Sequence, residues 1–456
     1  MFFKNVTSFL REKAFSLALT ALSLGFAANA LAQQAPVAAA PSSAPIAAPA
    51  AVAPVVPVIS AGDTAWVLTS AALVLLMTPG LAFFYGGMVR KKNVLATIMQ
   101  SFFLVALISV QWVIWGYSLA FSPGNNYWGS LQWLFLDNMP AVNPAAPTVP
   151  HYAFMIFQAM FAIITPALIC GAYAERVRFK GFVLFSLLWA TFVYDPIAHW
   201  VWGGGFFKDA LDFAGGTVVH MSSGYSALTL ALLLGTRKGY GKESMVPHNL
   251  TLVLLGASLL WFGWFGFNAG SAGAANALAC NAFVTTNTAT AMAAITWCLI
   301  ELLHHGKATS LGAASGAVAG LVAITPACGF VDVKASLIIG IVVSCLCYMA
   351  IQVKVKLGYD DSLDAFGVHG VGGTWGALAT GLFALKAVNG TDGLFAGNPA
   401  QFFIQVKTVL CTAVYSVLCT VVIYFIVEKT IGLRVAPRDE EVGLDLTQHG
   451  EEGYNF

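Results

Sequence analysis

Two histidines, His220 and His369, lie inside hydrophobic stretches that hold almost no other ionisable group. Each follows an aspartate by eight positions, Asp212 before His220 and Asp361 before His369. An imidazole at hydrocarbon depth is costly, and it usually lines an interior path or cavity. If the two rings face each other, one nitrogen donates a hydrogen bond and the other accepts it, with both rings neutral. Eight helical residues rise about 12 Å, so each spacing is expected to carry its histidine towards a bilayer centre. The chemistry suggested is a polar relay inside a transport pore. The alternative is two histidines that pack helices and bond to backbone carbonyls.

The elements that must position such a pair are membrane helices. Hydrophobic residues make up 58% of the 456 and charged residues only 9%, far below the quarter typical of soluble domains. The net charge of +1 and the absence of a basic run give no support for nucleic-acid binding. Splitting the chain at charges and turn clusters predicts about eleven spans, roughly 64–88, 93–120, 151–174, 181–203, 216–236, 248–268, 279–303, 308–327, 335–353, 365–386 and 401–427. Arg90, Lys91, Lys92, Arg176, Arg178, Lys180, Arg237, Lys238, Lys354 and Lys356 all fall on one set of alternating connections. Lys208, Lys334, Lys386 and Lys407 fall on the other. The positive-inside rule then places the N-terminus outside and the C-terminus in the cytoplasm.

The spans also repeat. Ile164-Thr165-Pro166-Ala167 in the third recurs as Ile324-Thr325-Pro326-Ala327 in the eighth, and the Asp-to-His spacing of the fifth recurs in the tenth. Both recurrences are five spans apart, an odd number, so the two halves must be inverted. The expected fold is an all-α polytopic membrane protein of two inverted five-helix repeats plus a final helix, with its site near the midplane between the halves.

Before the first span, Lys4, Arg11 and Lys13 precede the apolar stretch Ala14 to Ala27 and an Ala30-Leu31-Ala32 cleavage motif. Residues 1–32 are expected to be a signal peptide, with an uncleaved extra helix as the alternative. Residues 33–60 are Ala/Pro-rich and are expected to be a disordered linker. The membrane domain is expected over 61–431 and a polar, acidic tail over 432–456. The eight cysteines show no CxxC or zinc spacing and are assigned to apolar packing. No cofactor or metal site is expected, and with no HExxH or GxSxG motif or paired catalytic aspartates the chain is not expected to be an enzyme.

Several longer motifs make the chain resemble the ammonium transporter (Amt) family, bacterial Amt-type channels in particular. They are Phe84-Tyr85-Gly86-Gly87, Gly171-Ala172-Tyr173-Ala174-Glu175-Arg176, Asp212-Phe213-Ala214-Gly215-Gly216-Thr217-Val218-Val219-His220, Trp264-Phe265-Gly266-Phe267-Asn268-Ala269-Gly270-Ser271 and Phe366-Gly367-Val368-His369-Gly370. They run in order over nearly the whole chain from about residue 62. The resemblance implies that Phe161, Trp202 and Ser271 form an outer site that recruits ammonium, with Phe161 and Phe267 stacked as a gate beneath it. His220 and His369 would be the twin histidines of the pore, lined also by Trp264 and by the pore-side Thr325. Asp212 would support the vestibule without touching the ion, and it is read as a helix N-cap as well. Gln158 lies one helical turn from Phe161, and Phe157 adds a further ring with no assigned role. The resemblance also implies a homotrimer in the bacterial inner membrane, and a tail packed beneath the protein where PII-type signalling proteins bind. On composition alone the tail would be solvated. An ammonium sensor and a Rhesus-type relative are the competing functions, and Trp202 argues against the second.

Overall fold

The computed structural model describes residues 58–454. The expected signal peptide and all but the last three residues of the linker lie outside the described residues. The chain is all-helical: among the described residues β-pairing is limited to isolated bridges such as Val177 with Arg434. Eleven helical segments match the eleven expected windows to within a few residues. They are α1 (Ala61–Met88), α2 (Lys91–Phe121), α3 (His151–Tyr173), α4 (Phe179–Val201), α5 (Gly216–Leu234), α6 (Leu250–Gly270), α7 (Ala277–His305), α8 (Ser310–Ile324), α9 (Val333–Leu357), α10 (Phe366–Gly370 continued by Val371–Phe383) and α11 (Pro399–Thr430). Nine of them are long and apolar enough to cross a membrane, among the described residues; α8 is shorter.

Side-chain oxygens start many of these helices. Asn249, Asn276, Thr309 and Asp332 accept from the backbone N–H three residues on, at 2.8–3.0 Å, satisfying donors that have no partner inside the helix. Gly306 and Gly358 end α7 and α9 in the left-handed conformation, at φ 75° and 73°.

The first helices of the two halves, α1 and α6, pack along each other. A Cβ on Gly256 would sit 2.3 Å from Phe84 N, so its absence permits that approach. The recurring Ile-Thr-Pro-Ala segments share one detail. Thr165 Oγ1 donates to Phe161 O at 2.6 Å and Thr325 Oγ1 to Leu321 O at 2.7 Å, each hydroxyl bonding back to the carbonyl four residues earlier. They differ in outcome, since α3 runs on through Pro166 to Tyr173 whereas α8 ends at Ile324.

The tail is not solvated. Asp445 accepts from Ala96 N at 2.8 Å and Leu95 N at 3.1 Å, capping the first turns of α2. Leu444 N donates to Asn93 Oδ1 at 2.8 Å, and Arg434 donates to Leu234 O and Thr236 O at 2.6 and 2.7 Å. Composition misses this because most docking groups are polar ones that pair with helix ends and loop carbonyls, joined by a small apolar cluster of Ala96, Val435 and Leu444. Burial raises the Asp445 carboxyl above the usual carboxylate range. It lowers the His449 imidazole, against the pull of Asp445 and Glu451.

Candidate functional site

The two Asp-to-His segments fold alike. Asp212 Oδ1 accepts from Gly215 N and Gly216 N at 2.8 and 2.6 Å. Its Oδ2 accepts from Thr217 N and Val218 N at 2.8 and 3.2 Å and from the Thr217 hydroxyl. Asp361 does the same at the start of α10, accepting from Ala365 N and Phe366 N at 3.0 and 2.8 Å. The third residue after each aspartate is left-handed, Gly215 at φ 114° and Asp364 at φ 59°. Both histidines then lie in short π-helical turns, Gly216–Met221 and Phe366–Gly370. The expected continuous helix of eight residues is therefore corrected. Each aspartate precedes its helix as a cap, and each histidine lies about one turn into it.

Small residues let these two turns meet. A Cβ on Gly224 would lie 2.2 Å from Gly370 N, and one on Gly373 would lie 3.0 Å from Gly216 O and from His220 Cβ. Gly224 and Gly373 each follow their histidine by four residues. The crossing brings His220 Nδ1 within 3.2 Å of His369 Nδ1, with rings 18° from parallel and centroids 5.3 Å apart. One Nδ1 donates and the other accepts. His220 Nε2, fully buried, has no hydrogen-bond partner.

An aromatic column continues from this pair. The Trp264 ring stacks on His220 at 5.4 Å, and Phe267 lies 6.2 Å from His220. Phe267 stacks on Phe161 at 4.2 Å, and Phe161 meets Trp202 edge-on at 6.0 Å and Phe157 at 4.9 Å. Trp202 is held by its indole N–H on Asp212 O at 2.9 Å. Trp264 is held by its own on Thr325 Oγ1 at 2.8 Å. Ser271 Oγ donates to Phe267 O at 2.8 Å and keeps its lone pairs for another donor.

Three cavities lie along the column. A wide one of about 280 Å³ is lined by Phe157, Gln158, Phe161, Trp202, Asp212 and Ser271, among others. A slit of about 10 Å³ runs between Phe267, Trp264, His220 and His369, walled by Leu81, Val219, Leu260 and Val318. A third, about 50 Å³, begins at His369 and reaches Tyr85, Ser315 and Asp364. Phe161 and Phe267 stack between the first two. The buried Gln158 Oε1 has no partner.

Thr325 does not line the slit: its hydroxyl is spent on Leu321 O and on Trp264, so it sets the indole rather than facing the lumen. The apolar walls were not legible beforehand, because a cavity-facing leucine has the same sequence signal as a packed one. Gly224 and Gly373 had a signal in their matched offset from the histidines. Among the described residues, no group of three or more His, Cys, Asp or Glu could hold a metal ion.

The model of the Ammonium Transporter Family matches residues 65–454. This chain belongs to the ammonium transporter family. It is 52% identical over 400 residues to an ammonium transporter of Bacillus subtilis, covering 86% of this chain and 98% of that one. Its fold is similar to the crystal structure of Mep2 from Candida albicans, with TM-score 0.80, 37% identity, and 87% and 91% of the two chains covered. It is also similar to a chain described as a sensor Amt protein, with TM-score 0.79, 27% identity, and 85% and 98% covered. The family match takes in the whole column and reaches the docked tail.

Proposed function

We propose that this chain conducts ammonium nitrogen across a lipid bilayer, recruiting the cation in the wide cavity and passing neutral ammonia between the paired histidines. The observation that carries this reading is the unbroken column of Trp202, Phe161, Phe267, His220 and His369 between a roomy cavity and a slit of about 10 Å³.

Ammonium is a small cation with four donors. The faces of Trp202 and Phe161 attract it by roughly 0.5–2 kcal/mol, and Ser271 Oγ and Gln158 Oε1 offer acceptors. Beyond the phenyl stack the walls are apolar. Moving a bare monovalent ion into such surroundings costs several kcal/mol even after relaxation. Losing a proton removes that cost, so the slit favours ammonia. Its hydrogen bonds are then met by the imidazole pair, whose unpartnered Nε2 on His220 is a ready acceptor or donor according to tautomer. Potassium cannot shed its charge and is excluded. Asp212, with every oxygen already occupied, shapes the wide cavity and does not bind the ion.

The same reading places the wide cavity outside, the tail in the cytoplasm and eleven crossings in a bacterial inner membrane. It also includes a homotrimer and a PII-type partner at the tail face. The lysine and arginine bias and the docked acidic tail support this arrangement. Uptake of labelled methylammonium by cells producing the full chain tests the function. The expected result is saturable uptake that falls at least tenfold in His220→Ala at equal membrane abundance. No uptake by the wild-type chain would refute transport, and equal uptake in both would refute the histidine mechanism. A sensor is the second reading, favoured by the likeness to the sensor Amt protein. Binding without flux would select it.

A further inference from the structure

Two ionisable side chains line the wide cavity, Asp212 and Lys208. The charge of Asp212 is spent on four backbone N–H groups and the Thr217 hydroxyl. Lys208 is exposed, and no carboxylate pairs with it among the described residues. Its loop is fixed in place. Lys208 N donates to Gly205 O at 3.1 Å, Gln401 Nε2 to Asp209 O at 3.1 Å, and Gln405 clamps Leu211 through both its N–H and its carbonyl at 2.7 and 2.8 Å. An ammonium group therefore stands on a rigid rim of the cavity where another cation is to be collected.

We infer that Lys208 is an affinity-setting residue: it opposes cation entry into the wide cavity and raises the concentration at which the site fills, without touching the conducting slit. This rests on the recruitment reading above. Across a water-filled cavity, a like charge several ångströms away lowers occupancy by about twofold to threefold, and salt screens the effect. Ammonia already past the phenyl stack is neutral and feels none of it. The signature is a change in KM with no change in maximal rate, together with a dependence on ionic strength set by the sign of residue 208.

The test is labelled methylammonium uptake by cells making the full chain, with the external sodium chloride varied. Lys208→Gln is expected to lower KM about twofold to threefold at low salt, and Lys208→Glu about fourfold to tenfold, both at the wild-type maximal rate. Raising salt should lower KM in the wild type and raise it in Lys208→Glu. Lys334→Gln removes the same charge at an exposed position in the first turn of α9 and should leave KM unchanged. An unaltered KM in Lys208→Gln, or an equal fall in Lys334→Gln, would overturn the inference. Trp202→Leu separates the two proposals. If it leaves KM unchanged, the recruitment reading has failed; if it raises KM while Lys208→Gln does nothing, only the role of Lys208 has failed.

Discussion

The two Asp-to-His segments are built on one plan and finished differently. In the first, Asp212 gathers four backbone N–H groups and a hydroxyl, and glycine fills the left-handed position. In the second, Asp361 gathers two N–H groups, and the left-handed position holds Asp364, which ion-pairs with Lys354. The first opens on a cavity of about 280 Å³ and the second on one of about 50 Å³. The shared part delivers an imidazole to the crossing, and the different parts shape the two cavities. Symmetry is kept where the rings meet and dropped at the two cavities.

Removing the caps should break that comparison most visibly. Asp212→Ala strands five donors and is expected to cost about 3–5 kcal/mol, against about 1–3 kcal/mol for Asp361→Ala. Thermal melts of the solubilised protein measure both, and equal losses would show that the extra donors do not matter. The left-handed positions come next. A Cβ on Gly215 would sit 2.6 Å from Val219 Cγ2 and 3.4 Å from the Trp202 ring, on top of an unfavourable φ. Gly215→Ala should therefore cost about 1–3 kcal/mol and weaken methylammonium uptake through Trp202. Asp364→Gly relieves its φ while losing Lys354, so the melt should move by under about 1 kcal/mol.

Between Gly215→Ala and Asp364→Gly in size is Thr325→Val, which removes the acceptor of the Trp264 indole. A loss of about 1–2 kcal/mol and a shift in tryptophan emission are expected, whereas Thr165→Val, which holds no indole, should leave the emission alone. The tail gives the mildest effect. It docks on connections of the first half, where His449 packs edge-on against Phe179 at 5.0 Å. Burial lowers the His449 imidazole below its usual 6.5. Docking is thus favoured above about pH 6.5 and weakens as pH falls below it. Asp445, raised by burial, acts in the opposite sense nearer the carboxylate range. Protection from hydrogen exchange over 434–454, after correction for the intrinsic pH dependence of amide exchange, should fall from pH 7.5 to 5.5, and His449→Gln should flatten that change.

Much of this arrangement was legible in the residues. Long apolar runs between charges betray membrane helices directly, and an imidazole among them is conspicuous because hydrocarbon tolerates so few. The Asp212-to-His220 spacing and its echo at Asp361 and His369 pointed to a repeat. What the spacing did not reveal is the left-handed residue three positions after each aspartate, since periodicity cannot separate a cap followed by such a residue from one continuous helix. The π-turns, the Gly224 and Gly373 crossing and the Leu81 and Val318 walls depend on contacts between distant segments, which no local pattern records. Thr325 was assigned to the pore side by resemblance, but a shared residue type did not reveal which way its hydroxyl is spent.

The central proposition is that the slit past Phe267 admits nitrogen only without its charge. Ion flux into proteoliposomes holding the full chain tests this most directly, with ammonium and potassium gradients imposed in turn at matched concentration. The account predicts rapid entry of ammonium nitrogen and no potassium flux above protein-free vesicles; potassium passing at a comparable rate would contradict it.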